Sequence, residues 1–249
     1  MTAYPPKSRA QQPAMLSPIA AYDAFAPYYG SYSEARRRYL RKVEEIVIRN
    51  TCAGWSLLDV GAGDGSRALR IAAAARIGRL VLLEPSAEMR ARCVPACECW
   101  PYGLLEIPDE CPPFDVITCL WNVLGHMRGT EQKILALARL KKLLAAGGAM
   151  FLDVTHRYNA AAYGWSKTLF RAAGDLLIPS DARGDVIVSW RTGERMIRTH
   201  GHAFTHAEMK RLFCSAGLRI QRRWVIHYES GHECRLPLFG NLLYKVTGV

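Results

Sequence analysis

The sequence predicts a doubly wound α/β fold with a mostly parallel sheet, on three observations. From residue 56 onward short apolar β-like runs alternate with helical ones. The first of those runs, "SLLDV", passes directly into glycines at 61, 63 and 65. The chain has 249 residues, half of them hydrophobic and 22% charged, which is enough for a sizeable core in one globular domain. Alternation of this kind makes neighbouring strands parallel and wraps helices over both faces of the sheet.

Taken in order, residues 1–17 hold three prolines and no periodic pattern, so they read as a mobile arm before a single domain over 18–249. A short helix is expected at "AAYDAFAPYYG". A longer one follows in "SEARRRYLRKVEEIVIRN", capped by Ser33 and carrying Leu40, Val43, Ile46 and Val47 at helical spacing. Together they make residues 18–50 a pair of cover helices ahead of the sheet. Then come "SLLDV", a helix through "SRALRIAAAARI", "RLVLLE", a helix at "SAEMRAR" and a weak strand in "CECWPYG". "FDVITCLW", the helix "EQKILALARLKKLLAAGG" and the strand "AMFLDV" continue the pattern. Residues 154–184, rich in aromatic and polar side chains, interrupt it after the fifth strand, and a stretch of that length is expected to be a lid or binding loop. Beyond it the sequence predicts a hairpin from "DVIVSWR" and "ERMIRTHGHAF", a capped helix in "THAEMKRLFCSAG", and two closing strands.

No apolar run approaches the roughly 20 residues that cross a bilayer, and the start lacks the apolar segment of a secretory signal, so a cytoplasmic protein without membrane contact is expected. The net charge of +11 favours an anionic small molecule or an RNA partner without deciding between them. Its densest basic group, "EARRRYLRK", reads as a solvated helix face. The eight cysteines show neither a disulfide framework nor paired CxxC spacing, so they read as reduced core residues and no metal is expected.

The loop "LLDVGAGDGS" lets the backbone turn tightly after a strand and brings bare N–H groups to a ligand at the N-terminus of the next helix. The dinucleotide pattern GxGxxG fails at Ser66, and no Gly-Lys-Ser/Thr follows for a P-loop. Asp59 at the strand's end would repel a pyrophosphate and welcome a cationic amino group. About twenty residues on, Glu84 in "VLLEPS" ends the next strand, where an acid accepts ribose hydroxyls. The ligand asked for combines an amino acid with an adenosine.

On these residues the chain resembles the class I S-adenosylmethionine-dependent methyltransferases, whose first motif is matched by Asp59, Gly61, Gly63 and Gly65 and whose ribose acid is matched by Glu84. The resemblance covers residues 20 to 155 and, more weakly, the C-terminal strands. It implies a Rossmann-like seven-stranded sheet with a final antiparallel hairpin, S-adenosyl-L-methionine as cofactor and S-adenosyl-L-homocysteine as product. Further cofactor contacts are implied at Ala62, Pro85, Leu120 and Trp121, with Tyr22 and Tyr29 as cover residues. Many relatives carry an acid after the third strand for the adenine amino group; "CWPYGLLEIP" offers Gly103 or Leu104 there, so Leu104 and Leu105 are expected to flank adenine, with Glu106 a lesser substitute.

Methyl transfer from a sulfonium needs alignment and a desolvated nucleophile more than a base. His126 and Asn122 in "WNVLGHM" are the candidate catalytic residues, the histidine as general base. The absence of Asn-Pro-Pro-Tyr at this point disfavours methylation of adenine or glutamine amides. Candidate substrate contacts are Tyr28 in the cover helix, His156, Arg157, Tyr158 and Tyr163 in the insertion, and the alternating His200 and His202. The favoured reading is methylation of a small anionic or aromatic molecule at nitrogen or oxygen. A tRNA methyltransferase acting on a wobble-uridine side chain, hinted at by "RTHGHAFTHAEMKRLFCSAG", and a non-catalytic partner protein stand as alternatives.

Overall fold

The computed structural model describes residues 14–94, 97–108, 110–193 and 195–249. Residues 1–13 of the expected arm lie outside these. Its end is ordered: β1 (Met15–Leu16) is a two-residue strand, followed by α1 (Pro18–Glu34) and α2 (Arg37–Arg49). Ser17 caps α1 by accepting the Ala20 N–H at 3.3 Å. The expected cap at Ser33 is absent, because α1 runs past it and the Ser33 hydroxyl donates to the Gly30 carbonyl at 2.9 Å.

The alternating runs become β2 (Ser56–Val60), α3 (Ser66–Ala75), β3 (Arg79–Leu83), α4 (Ala87–Arg90), β4 (Glu98–Trp100), β5 (Phe114–Cys119), α5 (Gly129–Lys142) and β6 (Leu144–Val154). Helix α4 is a single turn, and "LAAGG" joins β6 instead of closing α5. The insertion contains α6 (Ala160–Tyr163) and α7 (Trp165–Leu177). The chain ends through β7 (Asp185–Thr192), β8 (Arg195–His202), α8 (His206–Ser215), β9 (Leu218–Ile226) and β10 (Asn241–Gly248).

Seven strands form one sheet in the order β4-β3-β2-β5-β6-β10-β9. The first five are parallel, and β10 runs antiparallel to both β6 and β9. The order reverses between β2 and β5, so the loops leaving these two strands diverge and open a crevice at their carboxyl ends. Their register pairs Asp59 with Thr118 and Val60 with Cys119. Successive residues of β2 feed opposite cores: Leu58 packs with Leu137, Leu140 and Phe213 beneath α5 and α8, while Leu57 packs with Val43, Val47 and Ile71 beneath α2 and α3. The cysteines are less central than expected, since only Cys119 is fully buried and Cys52 and Cys214 are exposed.

The predicted hairpin forms, but β8 and β7 build a separate three-stranded sheet with β1. Met15 and Leu16 pair in parallel with Arg198 and Thr199, which ties the start of the described chain to this flap. Its far end is anchored by buried charges. His202 bonds Asp185 through Nδ1 at 2.7 Å and Glu208 through Nε2 at 2.8 Å, and Lys133 lies 3.9 Å from the same Glu208 oxygen. His202, Glu208 and Lys133 are each at most 2% exposed.

Removing one partner of such a cluster strands the others in a low-dielectric interior. Glu208→Ala is therefore expected to destabilise the protein by about 3–5 kcal/mol. Lys133→Met should also destabilise, but by less, because Glu208 keeps its bond to His202 at 2.8 Å; urea unfolding of both variants checks the order.

Candidate functional site

Gly61 and Gly63 have φ of 65° and 63°, a left-handed backbone that side-chain-bearing residues adopt at a cost. Space excludes a side chain too: a Cβ on Gly61 would lie 2.5 Å from Val123, and one on Gly63 would lie 2.8 Å from the Tyr29 hydroxyl. The loop is thus held between the turn after β5 and helix α1. Gly63 N–H donates to one oxygen of Glu84 at 2.8 Å and Ser86 N–H to the other at 2.9 Å. Burial pushes the Glu84 carboxyl up to about 7, against those two donors, which favour its charged form. An ionised carboxylate has roughly four lone-pair directions, so two remain for a ligand.

Asp59 does not line the crevice. It is fully buried, accepts the Thr118 hydroxyl at 2.6 Å, and leaves its second oxygen without a hydrogen bond 3.8 Å from Arg67. Arg67, which the sequence reading missed, lines the crevice in its place. Its Nε is also buried without a partner. A cation in the first turn of α3, where the helix dipole disfavours positive charge, was the available signal.

The crevice encloses about 250 Å³. Glu84, Pro85 and Leu104 form one side, Leu120, Trp121 and His126 another, and Tyr22 and Tyr29 cover it from α1. Tyr102 and Gly103 also line it. Ala62 and Gly65 act through the backbone turn and do not line the cavity. Leu105 packs against the core, and Glu106 folds back to accept the Gly103 N–H at 3.0 Å.

A second cavity of about 120 Å³ shares Tyr22, Tyr29, Trp121 and His126 with the first. Helix α1 contributes Tyr22, Phe25, Tyr29 and Tyr32, a 3-4-3 spacing that puts all four on one face. Tyr28 lies off that face and is 47% exposed, so it does not reach either cavity. Val188 and Trp190, alternate residues of β7, close the opposite side, and Tyr228 follows β9. Trp190 stacks on Phe25 at 4.5 Å and Trp121 stacks on Tyr32 at 5.6 Å. Among the described residues no charged side chain lines this chamber.

The two cavities meet at the turn after β5. Trp121 and Asn122 are consecutive left-handed residues, with φ of 63° and 66°. The Asn122 amide donates to the His202 carbonyl at 3.1 Å and accepts the Thr155 N–H at 3.0 Å, so this candidate catalytic residue is committed to shaping the turn. His126 is placed as expected. Its Nδ1 lies 2.9 Å from the His200 carbonyl, which accepts only; Nδ1 therefore carries the proton and Nε2 takes the Tyr22 hydroxyl at 3.1 Å. Burial holds the His126 pKa below the ordinary histidine value.

The remaining candidate substrate contacts lie elsewhere. Arg157 and Tyr158 clamp Asp175 of α7 at 2.6 and 2.5 Å, and His156 is buried beside Asn241. Tyr163 lies under Arg171. His200 contributes its carbonyl, with its ring 3.8 Å from Asp185, and His202 serves the charge cluster. These residues fasten the insertion and the flap to the body, the other use to which polar and aromatic side chains at a lid base are put. Among the described residues no cluster of three or more His, Cys, Asp or Glu is placed to hold a metal, and no helix is long and apolar enough to cross a membrane.

A family model for the methyltransferase domain matches residues 31–222. The fold is similar to an S-adenosylmethionine-dependent methyltransferase from Clostridium acetobutylicum, with a TM-score of 0.62, 13% identity, and 92% of this chain and 99% of that one covered. It is also similar to an amino pentose methyltransferase from Micromonospora echinaspora solved with S-adenosylmethionine bound (TM-score 0.57, 19% identity, coverage 89% and 96%). An N-methyltransferase from Bradyrhizobium japonicum in complex with S-adenosyl-L-homocysteine gives 0.55, 14% identity, and coverage of 85% and 86%. No curated protein matches the sequence.

The buried neutral histidines set a pH dependence. His156 is pushed down to about 4, and His126 also lies below its ordinary value. A histidine whose folded pKa is depressed binds its proton more readily when unfolded, so stability is lost as pH falls below about 6.5 towards the folded values. Because the Glu84 and Asp153 carboxyls, raised to about 7 and about 6, act in the opposite sense over the same range, the histidine share is read as a difference: between pH 7.5 and pH 5 the unfolding free energy of His156→Gln should fall less, or rise more, than that of the wild type.

Proposed function

The chain belongs to the methyltransferase domain family, and from that premise we propose that it transfers a methyl group from S-adenosyl-L-methionine to nitrogen or oxygen of a small molecule. The observation that carries this reading is the junction of the two cavities, with Tyr22, Tyr29, Trp121 and His126 common to both. One cavity has the glycine turn and charged groups suited to the cofactor, and the other is an uncharged space for an acceptor.

The chain's residues fit the cofactor. Gly61 and Gly63 leave room where a Cβ would collide with Val123 or Tyr29. Glu84 has lone pairs left for ribose hydroxyls, and Arg67, with its buried partnerless Nε, faces the cleft as a clamp for the amino-acid carboxylate. Leu104 and Tyr102 offer apolar surface to adenine. When bound, S-adenosyl-L-methionine supplies an activated methyl on a sulfonium. The protein's own share is alignment, exclusion of water by the aromatic walls, and a hydrogen-bond acceptor at Tyr22 and His126 that orients the acceptor's N–H or O–H.

The aromatic chamber favours a small molecule over RNA. The segment that suggested RNA lies in β8 and α8, where His202 is bonded to Asp185 and Glu208. Two of the similar folds belong to an amino pentose methyltransferase and an N-methyltransferase, which supports the same class.

Glu84→Ala should weaken S-adenosyl-L-methionine binding by roughly 1.5–3 kcal/mol, and Gly63→Arg should abolish it. Because ribose hydroxyls donate to the ionised Glu84, whose free pKa is about 7, affinity should rise between pH 6 and pH 8 with proton release on binding. Calorimetric titration of the wild type and of Glu84→Ala, in which that slope disappears, checks both points. A wild type without measurable affinity would end this reading.

A further inference from the structure

Resting on the methyltransferase reading, we infer that the acceptor is an amine, taken up as the neutral base and held after methylation as an alkylammonium ion against the rings of the chamber. Three observations on the acceptor cavity converge on this class, and each separates an amine from a phenol or carboxylic acid.

The first is the wall. Trp190 and Phe25 stack at 4.5 Å, Tyr22 packs on Trp190 at 5.3 Å, and Trp121 closes the other side with Tyr29 and Tyr32. Ring faces carry negative potential and attract cations, best when these are weakly hydrated as alkylated ammonium ions are. They offer nothing to a phenolate or carboxylate. The Arg36 guanidinium, 5.6 Å from the Tyr32 centroid and 5.3 Å from that of Tyr228, already occupies those two rings, so the ammonium ion is assigned to the Trp190, Phe25 and Tyr22 side of the chamber.

The second is the absence of charged side chains from the lining among the described residues. A phenolate or carboxylate entering this space would exchange water for low dielectric with Arg36, which lies against Tyr32 and Tyr228 and outside the lining, as its neighbouring cation, whereas a neutral amine brings no charge with it. The third is the hydrogen-bonded Tyr22–His126 pair, which lines both cavities. His126 keeps its proton on Nδ1 for the His200 carbonyl and presents Nε2 to Tyr22. Burial makes it a weak base, ill matched to ionising a phenol. A neutral amine needs no ionisation: its N–H donates to the Tyr22 oxygen while its lone pair points away towards the cofactor cleft.

The transfer balances without a further reactant. The nitrogen lone pair forms the new C–N bond as the C–S bond breaks and its electron pair stays on sulfur. The positive charge moves from sulfur to nitrogen, within the same aromatic enclosure. The nitrogen keeps its proton, held by the Tyr22 oxygen, and sheds it to solvent after release.

The test uses binding of product-shaped probes by the full chain saturated with S-adenosyl-L-homocysteine, read by calorimetry. Choline carries a permanent trimethylammonium group; 3,3-dimethyl-1-butanol is its uncharged carbon isostere, and 4-nitrophenolate represents an anionic acceptor. Choline is expected to bind at least about tenfold more tightly than the isostere. Trp190→Leu should erase that preference and Trp190→Phe, which keeps a ring face, should retain it, with homocysteine-product affinity unchanged in both. Equal binding of choline and the isostere, or tighter binding of 4-nitrophenolate, overturns the amine assignment while leaving the cofactor reading intact. If S-adenosyl-L-homocysteine does not bind, the same probes are titrated into the ligand-free chain: a choline preference there overturns the cofactor reading alone, and its absence overturns both.

Discussion

The arrangement of both cavities depends on one buried carboxylate, Asp153 at the end of β6. One of its oxygens accepts the Tyr39 hydroxyl from α2, and the other accepts the Trp121 N–H at 3.1 Å. Trp121 and Asn122 hold a left-handed conformation that costs of order 1–3 kcal/mol per residue and persists only where the surroundings over-determine it. Asp153, the Asp153 carbonyl that accepts the Asn122 N–H, and the bonds of the Asn122 amide to His202 and Thr155 supply that constraint. With the turn fixed, the Trp121 ring stands between the cavities and His126 comes within reach of Tyr22. The carboxyl itself is raised to about 6 by desolvation, so the protein carries a cost at neutral pH to keep this turn in place.

The same turn separates two electrostatic environments. On one side lie Glu84 and Arg67, with Asp59 behind them; on the other the lining is aromatic and uncharged. Asp59 and Arg67 each keep an unpartnered buried polar atom, a costly state that a ligand with matching charges would relieve for the arginine. Charge is concentrated where an ionic ligand would be held, and withheld from the space where a neutral nucleophile would need to stay free of water.

The parts of this site legible in the sequence are those made by consecutive residues. The left-handed glycines betray themselves by spacing, Glu84 by its place at a strand end, and the strand order by the alternation of elements. Asp59 was found but misread: the charge arithmetic was sound, yet the side chain turns into the sheet towards Thr118 and acts on the cleft through Arg67. Trp190 and Tyr32 were not singled out because nothing local distinguishes a ring that lines a cavity from one that fills a core, whereas Tyr228 was readable from its place at the end of a closing strand. The opposite error befell Arg157 and Tyr158, whose polarity fits a pocket as well as it fits the clamp on Asp175 that they form. One aromatic signal was readable in hindsight: positions 22, 25, 29 and 32 share a helix face, while Tyr28, given equal weight, does not.

The turn after β5 also has a history within each molecule's assembly. The bond from Gly63 to Glu84 spans 21 residues, so this clasp on the glycine loop closes once two adjacent strands have met. The contacts that fix the acceptor wall span far more chain: 80 residues from Asn122 to His202, 104 from Tyr22 to His126, 114 from Tyr39 to Asp153. Closing longer loops costs more entropy, and it is lost before the contacts return anything. The wall of the aromatic chamber is thus the part of the site whose closure costs the most chain entropy. Its residues are drawn from separate segments, and of these Val188, Trp190 and Tyr228 do not line the cavity that holds the glycine turn. A lineage can therefore exchange one acceptor for another while inheriting the same methyl donor.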